Sequence, residues 1–224
     1  ELAKFCEDIG YELLILGAPY FATRKASQVI DFVEYISSET NLAIMYYNSP
    51  QFGTILDENE LEKIVEIENI VGVKEASFNP EISIKSHVNL GEKAIISTPD
   101  EWIFWEGEKL GFQQTVMFAN TSDWRFDTPE NNSYTTFVQK ACKGNIDDNL
   151  YNSEIKEIKS ISDEWWGKIV SDAGGVLPVA LCKYWGEIVG MSSGGPRPPV
   201  KDMNISDKAK LKNQLKNLNK FNIN

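Results

Sequence analysis

Two stretches decide the fold: Met45–Tyr46–Tyr47–Asn48–Ser49–Pro50 and Gly72–Val73–Lys74–Glu75–Ala76–Ser77. Each closes a short apolar run, Leu42–Ala43–Ile44–Met45–Tyr46 for the first and Ile70–Val71–Gly72–Val73 for the second. Between them lies one helix-length interval. There Asp57 and Glu60 form a capping-box pattern, and Leu61, Ile64 and Val65 fall on one face. Strand, helix and strand joined by short connections predict a parallel sheet covered by helices.

The same alternation extends both ways. Upstream, Glu12–Leu13–Leu14–Ile15–Leu16–Gly17 reads as a buried strand, followed by Val29, Phe32, Val33 and Ile36 at helical spacing. Downstream, Asn79–Pro80 opens a helix, and Lys93–Ala94–Ile95–Ile96–Ser97 is a short strand. Thr98–Pro99–Asp100–Glu101 supplies an N-cap, a first-position proline and two first-turn acids for a helix that Gly111 ends. Gln114–Thr115–Val116–Met117–Phe118 is a fifth strand, and Thr128–Pro129–Glu130 begins a helix that stops near Gly144. Five such alternations make either a doubly wound sheet or a closed barrel. After Gly144 only helices are predicted: a long one through Tyr151, Ile155, Ile158, Ile161, Trp165 and Ile169, another opened by Pro178, and a last one through Leu211, Leu215 and Leu218. The five lysines of the last helix read as a solvated face.

The chain has 224 residues, 42% hydrophobic and 25% charged, as ordinary globular domains do. A net charge of −11 argues against a nucleic-acid partner, whose phosphates need concentrated Lys and Arg. Three distant cysteines, Cys6, Cys142 and Cys182, suit neither a disulfide framework nor a zinc site. No apolar run has membrane-spanning length and no signal peptide is visible, so the expected location is the cytoplasm. The chain opens at Glu1, within a helical pattern and without an initiator methionine, which reads as part of an enzyme. The only histidine, His87, falls on a helix read as a surface helix, and one histidine cannot build a metal cluster.

In parallel α/β folds, reactive groups collect at the C-terminal ends of strands. Lys74 stands at such an end, where partial desolvation lowers an amine's pKa and keeps part of it nucleophilic. Tyr47 ends the preceding strand, one repeat earlier, and adjacent parallel strands bring its phenol beside the amine. A lysine and a tyrosine so placed are the minimal kit for Schiff-base chemistry on a keto acid, the phenol relaying protons. On spacing alone, a structural alternative stands beside this one, in which Lys74 pairs with a carboxylate and Tyr47 caps the core.

A resemblance adds to the spacing. Tyr47–Asn48–Ser49–Pro50 resembles the Tyr-Asn-x-Pro motif of the dihydrodipicolinate synthase/N-acetylneuraminate lyase family, and Gly72–Val73–Lys74–Glu75–Ala76 is similar to its Schiff-base lysine segment. Gly17–Ala18–Pro19–Tyr20–Phe21, Phe118–Ala119–Asn120 and Arg197–Pro198–Pro199 resemble further motifs, in the family's order. The resemblance implies an α/β fold of the (β/α)8 TIM-barrel class, with the five strands as its fourth to eighth. It implies residues 1–145 as the C-terminal part of the barrel and 146–224 as a helical extension. The family's first three strands, and its Gly-Thr-Thr-Gly-Glu loop that holds the pyruvyl carboxylate, have no counterpart in this sequence.

The implied activity is that of a Schiff-base-forming lyase that makes or cleaves a 2-oxo acid, with pyruvate as the enamine component. Lys74 and Tyr47 are then catalytic, and Asn48, Phe52, Thr98 and Asn120 shape the substrate pocket. No metal or organic cofactor is called for, because the lysine supplies the electron sink. The partners are a small 2-oxo acid and an aldehyde, and the assembly a homo-oligomer, tetramer or dimer. Two alternatives are a hydro-lyase on the same scaffold, such as a sugar-acid dehydratase or an aromatic hydratase-aldolase, and a non-catalytic metabolite-binding or scaffold barrel. Two departures bear on substrate: Phe52 stands where the family's dihydrodipicolinate synthases carry an arginine for a second carboxylate, and Phe21 where they carry a tyrosine. Together with Trp102 and Trp124, Phe52 points to a more apolar pocket, and Thr98 replaces a glycine frequent at its position.

Overall fold

The computed structural model describes residues 1–118, 123–221 and 223. Helix α1 (Leu2–Asp8) leads into a four-stranded parallel sheet in the order β1 (Leu13–Leu16), β2 (Ala43–Asn48), β3 (Ile70–Glu75) and β4 (Ile95–Ser97). The connections carry α2 (Ala26–Ser38), α3 (Glu58–Val65) and α4 (Pro80–Leu90), and β4 is followed by α5 (Glu101–Leu110). Parallel neighbours cannot be joined by a tight turn, so each pair needs such a crossover.

Burial follows the alternation of the strands. Leu14, Leu16, Ile44, Tyr46, Val73 and Ile96 point to one face and pack against Val29 and Val33 of α2, Leu61 and Ile64 of α3 and Leu90 of α4. Each fully buried aliphatic side chain there contributes about 1.5–3 kcal/mol. On the other face stand Leu13, Ile15, Met45, Tyr47, Gly72, Lys74, Ile95 and Ser97 by register. Local signals set the helix ends: Asp57 accepts from the Glu60 amide at 2.9 Å, Glu60 accepts in return from the Asp57 amide at 3.0 Å, and Asn79 accepts from the Glu81 amide at 3.0 Å.

Three sequence expectations are corrected. Residues 114–118 form no strand: side chains tie this segment to the end of β4, with Gln114 Nε2 donating to the Thr98 carbonyl at 3.0 Å and the Phe118 amide donating to Ser97 Oγ at 2.8 Å. The described residues thus hold four strands rather than five. The N-cap of α5 is Asp100, which accepts from the Ile103 amide at 2.9 Å, and not Thr98, whose hydroxyl is engaged elsewhere. Thr128–Pro129–Glu130 is a turn closed by Thr128 and Asn131. The helix begins later, as α7 (Ser133–Ala141), because the Asp127 carboxylate takes the Tyr134 and Thr135 amides; a short α6 (Asp123–Phe126) precedes it.

The chain divides into two compact units, Glu1–Ala119 with Ala141–Asn145, and Asn120–Lys140 with Ile146–Asn224. The second is helical: α8 (Asp148–Leu150) runs through a π turn (Tyr151–Ile155) into α9 (Lys156–Asp172), followed by α10 (Val179–Ile188) and α11 (Ile205–Asn217). Tyr151, Ile155, Ile158 and Trp165 are its buried stripe, with Leu211 and Leu215 buried on α11, and Trp165 Nε1 donates to Gln214 Oε1 at 2.5 Å. The sheet and the described candidate residues lie in the first unit.

Between β2 and β3 the register shifts once: Ile44 pairs with Ile70 and Met45 with Gly72, leaving Val71 as the extra residue. Gly72 takes up the pairing, with Ile95 of β4 close on its other side. A Cβ there would collide with the Ile95 carbonyl oxygen and stand 2.9 Å from Met45 Cε. Backbone cannot yield as a side-chain tip can, so Gly72→Ala should destabilise the protein by about 3 kcal/mol in urea denaturation. An unchanged midpoint would show that β3 is not held this closely.

Candidate active site

Tyr47 and Lys74 are direct register partners across β2 and β3, and Lys74 is the partner of Ser97 on β4. The period of two therefore sends the three side chains to one face, at the C-terminal ends of their strands. Lys74 Nζ lies 4.3 Å from the centroid of the Tyr47 ring. Burial holds the Lys74 amine below its usual pKa, which enlarges the neutral, nucleophilic fraction. Burial also raises the Tyr47 phenol, and a hydrogen bond with the Ser49 side chain works in the opposite sense.

The chain after β2 closes over this pair. Ser49 starts a 3-10 turn, Pro50–Phe52, by accepting from the Gln51 amide at 3.4 Å. The turn sets the Phe52 ring edge-on to Tyr47, with centroids 5.2 Å apart at 68°. Gly17, just after β1, makes room for that ring: a Cβ at Gly17 would stand 2.7 Å from Phe52 Cε1 and Cζ.

The remaining candidates have other places. Asn48 is fully buried on the helix-facing side, donating from Nδ2 to the Leu56 carbonyl at 2.9 Å and to Glu75 Oε1 at 3.2 Å, while its Oδ1 accepts from the Leu56 amide at 3.0 Å. It fixes the loop that carries Phe52. Thr98 is buried with its hydroxyl 3.0 Å from His87 Nε2, so Ser97 and not Thr98 is the hydroxyl residue paired with Lys74. Asn120 lies outside the described residues, and so does the Ala119–Asn120 turn.

Sequence reasoning missed Glu75 and misplaced His87. Glu75 is fully buried behind Lys74, accepting from Asn48, from the Ser77 amide at 3.0 Å and from the Ser83 hydroxyl. Burial pushes its carboxyl up, and these donors pull it back. His87 is 3% exposed, not on the surface: Ser83, Ser86, His87 and Leu90 form the buried face of α4. Its ring stacks on Phe112 at 4.3 Å, and burial pushes its pKa down to about 4. Polar residues at i, i+3 and i+4, with Leu90 at i+7, were the available signal, one that apolar periodicity does not register. Among the described residues no group of three or more His, Cys, Asp or Glu could hold a metal ion, and no helix is long and apolar enough to cross a membrane.

A family model described as the dihydrodipicolinate synthetase family matches residues 1–218. The chain belongs to this family. The 4-hydroxy-tetrahydrodipicolinate synthase of Archaeoglobus fulgidus is 26% identical over 228 residues, covering 97% of this chain and 70% of that protein. Among solved structures, a prophage protein of the dihydrodipicolinic acid synthase family from E. coli, in complex with pyruvate, superposes with a TM-score of 0.73 at 16% identity, over 97% of this chain and 70% of that one. The 2-keto-3-deoxygluconate aldolase of Sulfolobus sulfataricus does so at 0.67 and 18%, over 97% and 68%. At these identities the structural likeness is one of fold. The parallel α/β sheet belongs with the TIM-barrel proteins of the dihydrodipicolinate synthetase family.

His87 carries a pH signature. Its folded-state pKa of about 4 lies below the ordinary 6.5, so the unfolded chain binds the proton first as pH falls. The neutral ring's contribution is complete above pH 6.5 and is lost as pH falls through 4, amounting to about 3 kcal/mol. The stability difference between wild type and His87→Gln should shrink by about that much from pH 7 to pH 4 in denaturant titrations. A pH-independent difference would contradict a buried neutral ring.

Proposed function

We propose that this chain provides the Schiff-base lysine, Lys74, of a lyase that makes or cleaves a 2-oxo acid, with pyruvate as the enamine component and an aldehyde as the second substrate. The observation that carries this reading is the register pairing of Tyr47 with Lys74, the amine lying 4.3 Å from the ring and depressed in pKa by burial. Family membership supports it, as do the pyruvate in the E. coli structure and the aldolase activity named for the Sulfolobus protein.

The neutral Lys74 amine attacks C2 of the 2-oxo acid to give a carbinolamine. Tyr47 gives its proton to the carbinolamine hydroxyl, which leaves as water while the nitrogen lone pair forms the iminium. The phenolate then takes a proton from C3, and the electrons of that C–H bond flow into the iminium to give an enamine. The enamine carbon attacks the aldehyde carbonyl, and the reprotonated Tyr47 gives its proton to the new alkoxide. Water adds to the regenerated iminium, giving a proton back to the phenolate, so that the carbinolamine collapses to the 2-oxo acid and frees the neutral lysine. Cleavage is the reverse sequence.

Borohydride reduction in the presence of pyruvate should add one pyruvyl unit to the peptide that contains Lys74, and none to Lys74→Ala. Tyr47→Phe should still be labelled, with imine formation slower by about a hundred-fold. Because burial lowers the amine's pKa, the labelling rate should rise with pH and level off at a midpoint below the 10.5 of an unperturbed lysine. Label on another lysine, or a midpoint at or above that value, would refute the reading.

Phe52 bears on the aldehyde. Its ring, held between Gly17 and Tyr47, offers no charge to a carboxylate, and an unpaired carboxylate brought there costs on the order of several kcal/mol. Turnover of aspartate semialdehyde with pyruvate should therefore fall about a hundred-fold or more below that of an uncharged aldehyde, and Phe52→Arg should narrow the gap. Equal turnover of both aldehydes would remove Phe52 from substrate selection.

A further inference from the structure

We propose that Ser97 is a positioning residue for Lys74, its hydroxyl oxygen holding the end of the 114–118 segment against β4 so that water stays away from the amine. This rests on the reading of Lys74 as the imine-forming lysine. Ser97 is the register partner of Lys74, and paired strands run about 4.8 Å apart, so the two side chains leave the sheet side by side on the open face. Ser97 is completely buried, and its oxygen accepts from the Phe118 amide at 2.8 Å. It therefore has the lysine on one side and the 114–118 segment on the other.

What lowers the Lys74 pKa is burial, and an amine tuned by burial responds to every group that keeps water from it. On the β2 side that group is Tyr47, whose ring centroid is 4.3 Å from Nζ, with the Phe52 ring edge-on behind it. On the β4 side residues 114–118 form no strand, so ladder bonds do not close the sheet there. Two bonds from side chains close it instead: Gln114 Nε2 donates to the Thr98 carbonyl at 3.0 Å, and Ser97 Oγ takes the Phe118 amide. Only the second uses a side chain of the face that carries Lys74. Without the Ser97 oxygen, the Phe118 amide must find its acceptor in water, next to the lysine. Water there favours the ammonium, which cannot attack a carbonyl. The competing role is purely structural, Ser97 satisfying one amide with no effect on Lys74.

Ser97→Val and Ser97→Thr separate the two, since they match in shape and differ in the hydroxyl; Ser97→Ala removes the hydroxyl without added bulk. With lysine carrying 13C at Cε, the Lys74 resonance is assigned by its loss in Lys74→Ala. It should titrate about one pH unit higher in Ser97→Val and Ser97→Ala than in wild type, and at the wild-type midpoint in Ser97→Thr. With pyruvate and borohydride at neutral pH, Ser97→Val and Ser97→Ala should label the Lys74 peptide about ten-fold more slowly, and Ser97→Thr should restore the rate. The rates should converge as pH rises above the midpoints. An unchanged Lys74 midpoint in Ser97→Val and Ser97→Ala, or an equal shift in Ser97→Thr, would overturn the proposal. Absence of label on Lys74 in the wild type would instead defeat the lyase reading, while the Lys74 titration would still decide the role of Ser97.

Discussion

The pairing of β2 with β3 is the constraint on which the site depends. Tyr47 and Lys74 are useful to one another only because they are register partners, and Lys74 meets Ser97 by the same rule on its other side. A slip of one residue would turn Lys74 toward the helices and bring Glu75 to the open face. Several contacts oppose that slip. Gly72 allows β3 to lie against Ile95 and Met45, and Asn48 and Glu75 bond to each other behind the reactive pair. The apolar face set by Ile44, Tyr46, Val73 and Ile96 adds a cost for every side chain that would be exposed.

The two faces of these strand ends do different electrostatic work. On the open face the amine and the phenol are each pushed by burial toward neutrality, the amine down and the phenol up. Both shifts favour the protonation states that imine formation begins with. On the helix-facing side, Glu75 receives donors from β2, from the loop after β3 and from α4. A carboxyl bonded this way ties three segments to one point, and its cost of burial is offset by those donors. His87 does the equivalent for β4, joining α4 to Thr98 while its ring stacks on Phe112.

Much of this was legible in the sequence where the signal was periodic or local. The runs ending in Tyr47 and Lys74, the Asp57–Glu60 box, the Asn79–Pro80 start and the Gly111 stop all correspond to what the backbone does. The segment 114–118 was misread because its apolar content fits a strand, whereas its Gln114 side chain and Phe118 amide bond to residues at the end of β4. Thr98 and His87 were misread together: each looked like a local feature, a cap and a surface residue, and each is defined by the other. α4 buries serines and a histidine while Val88 is 48% exposed, the reverse of what hydropathy alone dictates. Asn48 enters the pocket only through the family resemblance; by alternation its side chain stands on the helix-facing side, bonded to Leu56 and Glu75.

The most direct test is a crystal structure of the protein grown with pyruvate. The account predicts continuous density from Lys74 Nζ to C2 of the pyruvyl group, with the Tyr47 oxygen within hydrogen-bond distance of the adduct and the Phe52 ring still edge-on to Tyr47. Pyruvate bound without a covalent link, or linked to a different lysine, would contradict it.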